Sequence, residues 1–294
     1  MRRPRFSVVI PCFNEAAYIG ETLESLKNQN FAGEFEVIVV DNNCRDETAA
    51  IAMANGAKIV EEKRPGVCWA RQAGTAVANG EIVVSTDADT VFASDWLDRI
   101  NKSFQRCDSA VAVAGPCRYN NAPWWGKIFP KFLFGAVALM YKLTGRPFYI
   151  TATNVAFKKS AWESYNTTLT QGGDELDLLH KLRDRGKVVF KNSNPTLTSA
   201  RRLNRGLFYN VFVSFLVYYL LAYNLNKIFK RTILGTAPAY RESKGFKGSF
   251  MNYYKFAFVS ICLLAILWDP LRINIGQYAY GALDAVGDVI KYLV

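Results

Sequence analysis

Two aspartates one residue apart, Asp87 and Asp89, close the apolar run Ile82-Val-Val84. Alternate residues of an extended segment point to the same side, so both carboxylates can converge on one point. Convergent carboxylates at a strand end make a hard-oxygen site for Mg²⁺ or Mn²⁺, which in turn binds phosphate oxygens. An acidic pair also suits a solvated turn, so the elements around it decide its meaning.

Phe6-Ser-Val-Val-Ile10, closed by Pro11, and Phe35-Glu-Val-Ile-Val-Val40, followed by Asp41, read as buried parallel strands. Between them, Ile19, Leu23 and Leu26 keep a helical spacing within 15–28. An alanine-rich helix is predicted over 46–55, stopped by Gly56. A short strand over 58–60, a helix over 67–78 and the turn Asn79-Gly80 lead to the strand that ends at Asp87. This alternation predicts βαβ units, hence an α/β fold with a mostly parallel sheet and helices on both faces. Ligands of such sheets bind beyond the carboxyl ends of the strands. Asn14 and Glu15, Asp41 and Asn42, then Asp87 and Asp89 collect at three successive strand ends. Turn capping explains Asn42 and Asn43 but accounts poorly for all three sites together. The absence of Gly-x-Gly-x-x-Gly after the first strand, and of a P-loop pattern, argues against dinucleotide enzymes and P-loop NTPases.

The 294 residues can hold one large α/β domain or a domain plus an appendage, and half of them are hydrophobic. Thirty-six Lys and Arg against 25 Asp and Glu favour anionic partners. Without zinc-finger spacing or a dense basic block, nucleic acid is not expected among them. The six cysteines form no Cys-x-x-Cys pair, which suggests free thiols in a reducing cytoplasm. Phe6 to Ile10 is too short for a signal-peptide core, so this part of the chain is expected to stay in the cytoplasm.

Six stretches in order resemble a family 2 glycosyltransferase of the GT-A fold. They are Ser7–Glu15, Val37–Thr48, Gly66–Gly74, Ser85–Thr90, Thr153–Lys158 and Gly173–Leu178. The likeness covers roughly 5–205, which would form the catalytic domain (1–205). It implies that Pro11, Asn14 and Glu15 line the nucleotide pocket and that Asp41 hydrogen-bonds the base. Arg71 and Arg64 would lie near the nucleotide or its phosphates. Asp87 would sit by the ribose and the metal, with Asp89 as direct ligand of a divalent cation (Mg or Mn). The family's usual Glu-Asp pair stands here as Asp174-Glu175, so the matching base position is Glu175, with Asp174 second. An attacking hydroxyl must lose its proton, which requires such a carboxylate. Acids in a helix's first turn also stabilise its dipole, and the leucines at 176, 178, 179 and 182 predict a helix here. Arg201 and Arg202 could clamp the diphosphate or begin a basic membrane-facing surface. His180 reads as a surface or half-buried side chain, and Trp124-Trp125 as acceptor platform, interfacial anchor or core.

A hydrophobic helical appendage is expected over 206–294, with apolar segments at 206–226 and 256–268. The loop between them carries seven basic residues, Lys227 to Lys255, which opposes a two-span hairpin. Helices lying in the cytoplasmic leaflet, with the loop on an anionic membrane surface, fit better. Segment 128–141 is a further candidate for membrane contact, or for ordinary core packing.

The resemblance thus implies an inverting, metal-dependent transferase. It would use a nucleotide-sugar donor (UDP- or GDP-sugar) and a lipid-linked or saccharide acceptor, in cell-envelope polysaccharide or glycolipid synthesis. A polyprenyl-phosphate glycosyltransferase is the nearer alternative, and a non-catalytic membrane scaffold the more distant one.

Overall fold

Apolar runs buried on both sides set the sheet. A computed structural model describes residues 3–169, 174–210 and Val217. The predicted strands form as β1 (Phe6–Cys12), β2 (Phe35–Asp41), β3 (Lys58–Glu61) and β4 (Ile82–Ser85). They pair in parallel in the order β3-β2-β1-β4. The helices between them are α1 (Ala16–Lys27), α2 (Thr48–Ala54) and α3 (Val67–Val77).

The sheet continues through strands that the periodicity did not announce. β8 (Val155–Lys158) runs antiparallel between β4 and β6 (Ala110–Ala114), and β9 (Lys187–Phe190) closes the far edge parallel to β6. A second, three-stranded sheet sets β10 (Thr196–Ser199) between β5 (Thr90–Val91) and β7 (Cys117–Asn120). Two core layers result. Val9, Ile38, Val40 and Val83 face α3 (Ala70), α5 (Trp124–Thr144) and the leucines of α6 (Asp174–Arg185). Val8, Ile10, Val39 and Val84 face α1 (Ile19, Leu23, Leu26) and α4 (Trp96–Gln105). Alternate residues of one strand thus serve opposite layers, as a doubly covered sheet requires.

Close approach of α3 to the sheet depends on Gly74. A Cβ there would lie 2.5 Å from Val9 Cγ1 and 2.7 Å from Val40 Cγ2. Among the described residues the cysteines are free thiols, and no helix is long and apolar enough to cross a membrane. Apart from 206–210 and Val217, the expected hydrophobic appendage lies outside the described residues.

Candidate active site

Parallel pairing of β1 with β2 and β4 brings three strand ends to one edge, with Cys12 opposite Asp41 and Val9 opposite Ser85. The Asp87–Asp89 turn is tied down from several sides. Thr22 of α1 donates its hydroxyl to the Ala88 carbonyl (2.8 Å) and accepts the Thr90 amide (3.1 Å). The Ser199 amide of β10 donates to the Asp89 carbonyl (3.0 Å).

Each carboxylate then has its own arginine. Arg71 donates Nη2 to Asp87 Oδ1 (2.9 Å) and Nη1 to Asp174 Oδ2 (2.5 Å), and Thr153 donates its hydroxyl to Asp87 Oδ2 (2.8 Å). Arg201 forks onto Glu15 (2.8 and 2.9 Å) and reaches Asp89 Oδ2 at 2.9 Å, while Thr198 donates to Asp89 Oδ1 (3.2 Å). The Arg201 guanidinium also lies 4.6 Å from the Tyr18 ring centre. Both guanidinium–carboxylate groups are largely out of water, so each charge depends on its partner.

Burial would lift the Asp87 pKa, but Arg71 and then Arg202 outweigh it and hold the group below the ordinary carboxylate value. Burial wins at Asp89, whose pKa rises despite Arg201. Glu175 rises well above its ordinary value, first through burial and then through the neighbouring Asp174 carboxylate. Its Oε2 is buried without a hydrogen-bond partner among the described residues. Both acids stand in the first turn of α6, at the positive end of its dipole.

The remaining residues sort by position. Arg71, expected near the nucleotide or its phosphates, lies on the buried face of α3 between two carboxylates. Arg64 is exposed; it pairs with Glu62 (2.6 Å) and lies 3.7 Å over the Trp69 ring. Asn14, in the left-handed region (φ 55°), accepts the Arg45 amide (2.7 Å), and Asp41 accepts the Cys44 amide (2.7 Å). Pro11 lies within β1, half-buried. Arg202 is exposed but near enough to lower Asp87. His180 is half-buried, with Nδ1 2.6 Å from the Leu176 carbonyl. Thr22, Thr153 and Thr198 carry functional contacts that sequence reasoning missed. Their one signal is a hydroxyl beside a polar motif, too common to single them out.

A cavity of about 360 Å³ opens beside Asp89, lined among others by Tyr18, Asn120, Asn121, Thr198 and Arg201. A larger one, about 480 Å³, lies at the amino ends of the strands around Arg3, Arg5, Glu34 and Glu81, away from these acids. Strand-end chemistry favours the first.

Comparison with known proteins decides the class. A family model described as Glycosyl transferase family 2 matches residues 7–165, more than half of the chain. The chain belongs to glycosyltransferase family 2. Relatives of this transferase include an uncharacterized glycosyltransferase of Mycobacterium bovis, 31% identical over 141 residues (48% of this chain, 60% of that one). Another is glycosyltransferase AglE of Haloferax volcanii, 33% identical over 103 residues, 33% of this chain and 34% of that one. The transferase therefore spans about 60% of the Mycobacterium bovis relative's length and about a third of the Haloferax relative's. S. aureus TarS 1-349 shares the fold at a TM-score of 0.55 and 19% identity, covering 87% of this chain and 79% of that one. So does glucosyl-3-phosphoglycerate synthase from Mycobacterium tuberculosis, solved with Mn²⁺, UDP and glucosyl-3-phosphoglycerate. Its TM-score is 0.50 at 23% identity, covering 69% of this chain and 74% of that one. These likenesses show the mixed α/β, mostly parallel GT-A architecture.

The donor set fits a divalent cation. Asp87 and Asp89 offer four hard oxygens, each with a second lone pair beyond its present hydrogen bond. Among the described residues no cluster of three or more metal-binding side chains exists, so a cation held there would take the rest of its shell from substrate phosphates and water, as is usual for Mg²⁺.

Proposed function

We propose that this transferase moves a sugar, with inversion, from a UDP-sugar to a hydroxyl of a membrane-proximal or lipid-linked acceptor. The reading rests on one observation: a single guanidinium, Arg71, touches both Asp87 and Asp174. That span keeps the donor-side acid and the base pair within reach of one substrate. UDP-sugars are supported by fold neighbours solved with UDP-GlcNAc and with UDP-glucose and Mn²⁺.

Asp89, with Asp87, would hold a divalent cation, which supplies charge stabilisation for the departing diphosphate. Arg201 sits against the same carboxylate and is placed to turn its fork from Glu15 to phosphate oxygens. Asp174 is committed to Arg71, which leaves Glu175 to take the proton from the acceptor hydroxyl. Its raised pKa makes it a stronger base once ionised.

Two measurements test the reading together. Glu175→Gln is expected to lower kcat by about 10²–10⁴-fold, with nucleotide affinity by calorimetry unchanged. Chelation of Mn²⁺ should abolish donor turnover in the unaltered enzyme. Turnover retained in Glu175→Gln moves the base elsewhere, and turnover without metal removes the role given to Asp89.

A further inference from the structure

Helix α5 is apolar on two opposite sides. Gly126, Pro130, Phe134 and Val137 are buried against the fold. On the other side Trp124, Ile128, Phe132, Leu139 and Leu143 are 41–76% exposed. At helical pitch these five fall within an arc of about 100°. A helix with two apolar faces needs a covering on each, and here the outer one is in contact with water.

Charge selects what covers it. Lys127, Lys131 and Lys142, all exposed, lie along one flank of the outer stripe. Between Asp108 and Glu163 the chain has seven basic residues and no acid. An antiparallel second copy would set the same lysines against each other. The chain's own 206–294 is also basic, with nine Lys and Arg against four Asp and Glu. An apolar stripe edged by lysines matches the boundary between acyl chains and anionic headgroups. We propose that the outer face of α5 docks this transferase on an anionic lipid surface.

The position suits the chemistry. Pro123, the residue before α5, and Asn120 and Asn121 line the cavity beside Asp89. A bilayer against α5 would therefore lie near the end of that cavity lined by Asn120, Asn121 and Pro123, where an acceptor carried on lipid would enter. This deepens the reading of a membrane-proximal acceptor and rests on it only for the acceptor's route.

The test uses the full chain and vesicles, without donor or acceptor, so its failure leaves the transfer chemistry untouched. Vesicles of phosphatidylcholine with about 30% phosphatidylglycerol, both brominated in the acyl chains, are expected to quench Trp124. The quenching should fall in Trp124→Phe by the share that Trp124 contributes. Ile128→Asp with Phe132→Asp should weaken vesicle partition about tenfold, and Lys127→Gln and Lys131→Gln about fivefold each. These side chains are exposed, so thermal melting should show each variant folded. Quenching that is undiminished in Trp124→Phe, or partition indifferent to lipid charge, overturns the proposal. So does a Trp124 shielded from iodide before lipid is added, which would mean that this chain or a second copy covers the face.

Discussion

Arg71 holds Asp87 and Asp174 at once, and its loss would leave both without their counter-charge. Breaking a buried pair by removing one partner costs about 3–5 kcal/mol. Arg71→Leu is therefore expected to lower unfolding free energy by about that amount in chemical denaturation, with catalysis lost as well. Titration at the two acidic sites acts in opposite directions. Asp87 has a lowered pKa in the folded state, so its contribution to stability is present above the ordinary carboxylate range and fades as pH falls. Glu175 has a raised one, so its contribution is present below the ordinary value and is lost as pH rises through the folded pKa. With ionised Glu175 as the proposed base, the acid limb of kcat should lie well above about 4.3, the unperturbed glutamate value. Asp174→Asn removes the second cause of the shift and leaves burial, so the limb should move down without reaching the ordinary value. A limb that stays in place in that variant would separate Glu175 from the proton transfer. The acids themselves were legible, because Asp-x-Asp at a strand end and an acidic pair opening a helix are local patterns. Their partners were not. Arg71 lies 103 residues from Asp174, and Arg201 lies 186 from Glu15, so only tertiary folding selects them.

Strands β1, β2 and β4 and the helices between them could be read from apolar runs or a helical period, whereas β3 is only half-buried. Strands β5, β7 and β10 have two to four residues each, too few for a period to register. Strand β8 was hidden for another reason: nothing local states that Val155 to Lys158 inserts antiparallel between two strands of the main sheet. The fit of α3 is an element-scale property that can be tested. Gly74→Ala would drive a methyl group into Val9 and Val40, both fully buried and fixed in central strands. Overpacking of this kind costs about 1–3 kcal/mol. A lower melting temperature is expected, with nucleotide affinity falling because α3 carries Arg71. An unchanged melting temperature would mean that the helix shifts outward freely.

Across the whole molecule, Glu15, Asp87 and Asp89 follow the ends of neighbouring strands, but the arginine that neutralises Glu15 and Asp89, Arg201, arrives late in the sequence. Asp89 is held by Thr198 and Arg201, and β5 is completed by β10. A chain leaving the ribosome at about 5–20 residues per second makes Asp89 roughly 6–22 s before Arg201. During that interval β5 and β7 are unpaired edges, which invite association with other chains. A truncation ending at residue 190 should therefore aggregate in light scattering where the full chain does not. In a cell, the nascent chain would spend those seconds with its Asp87–Asp89 turn made and the three-stranded sheet open. The placement of one four-residue strand thus makes the Asp89 corner of the candidate site wait for Thr198 and Arg201, and prolonged pausing before residue 196 a hazard for yield.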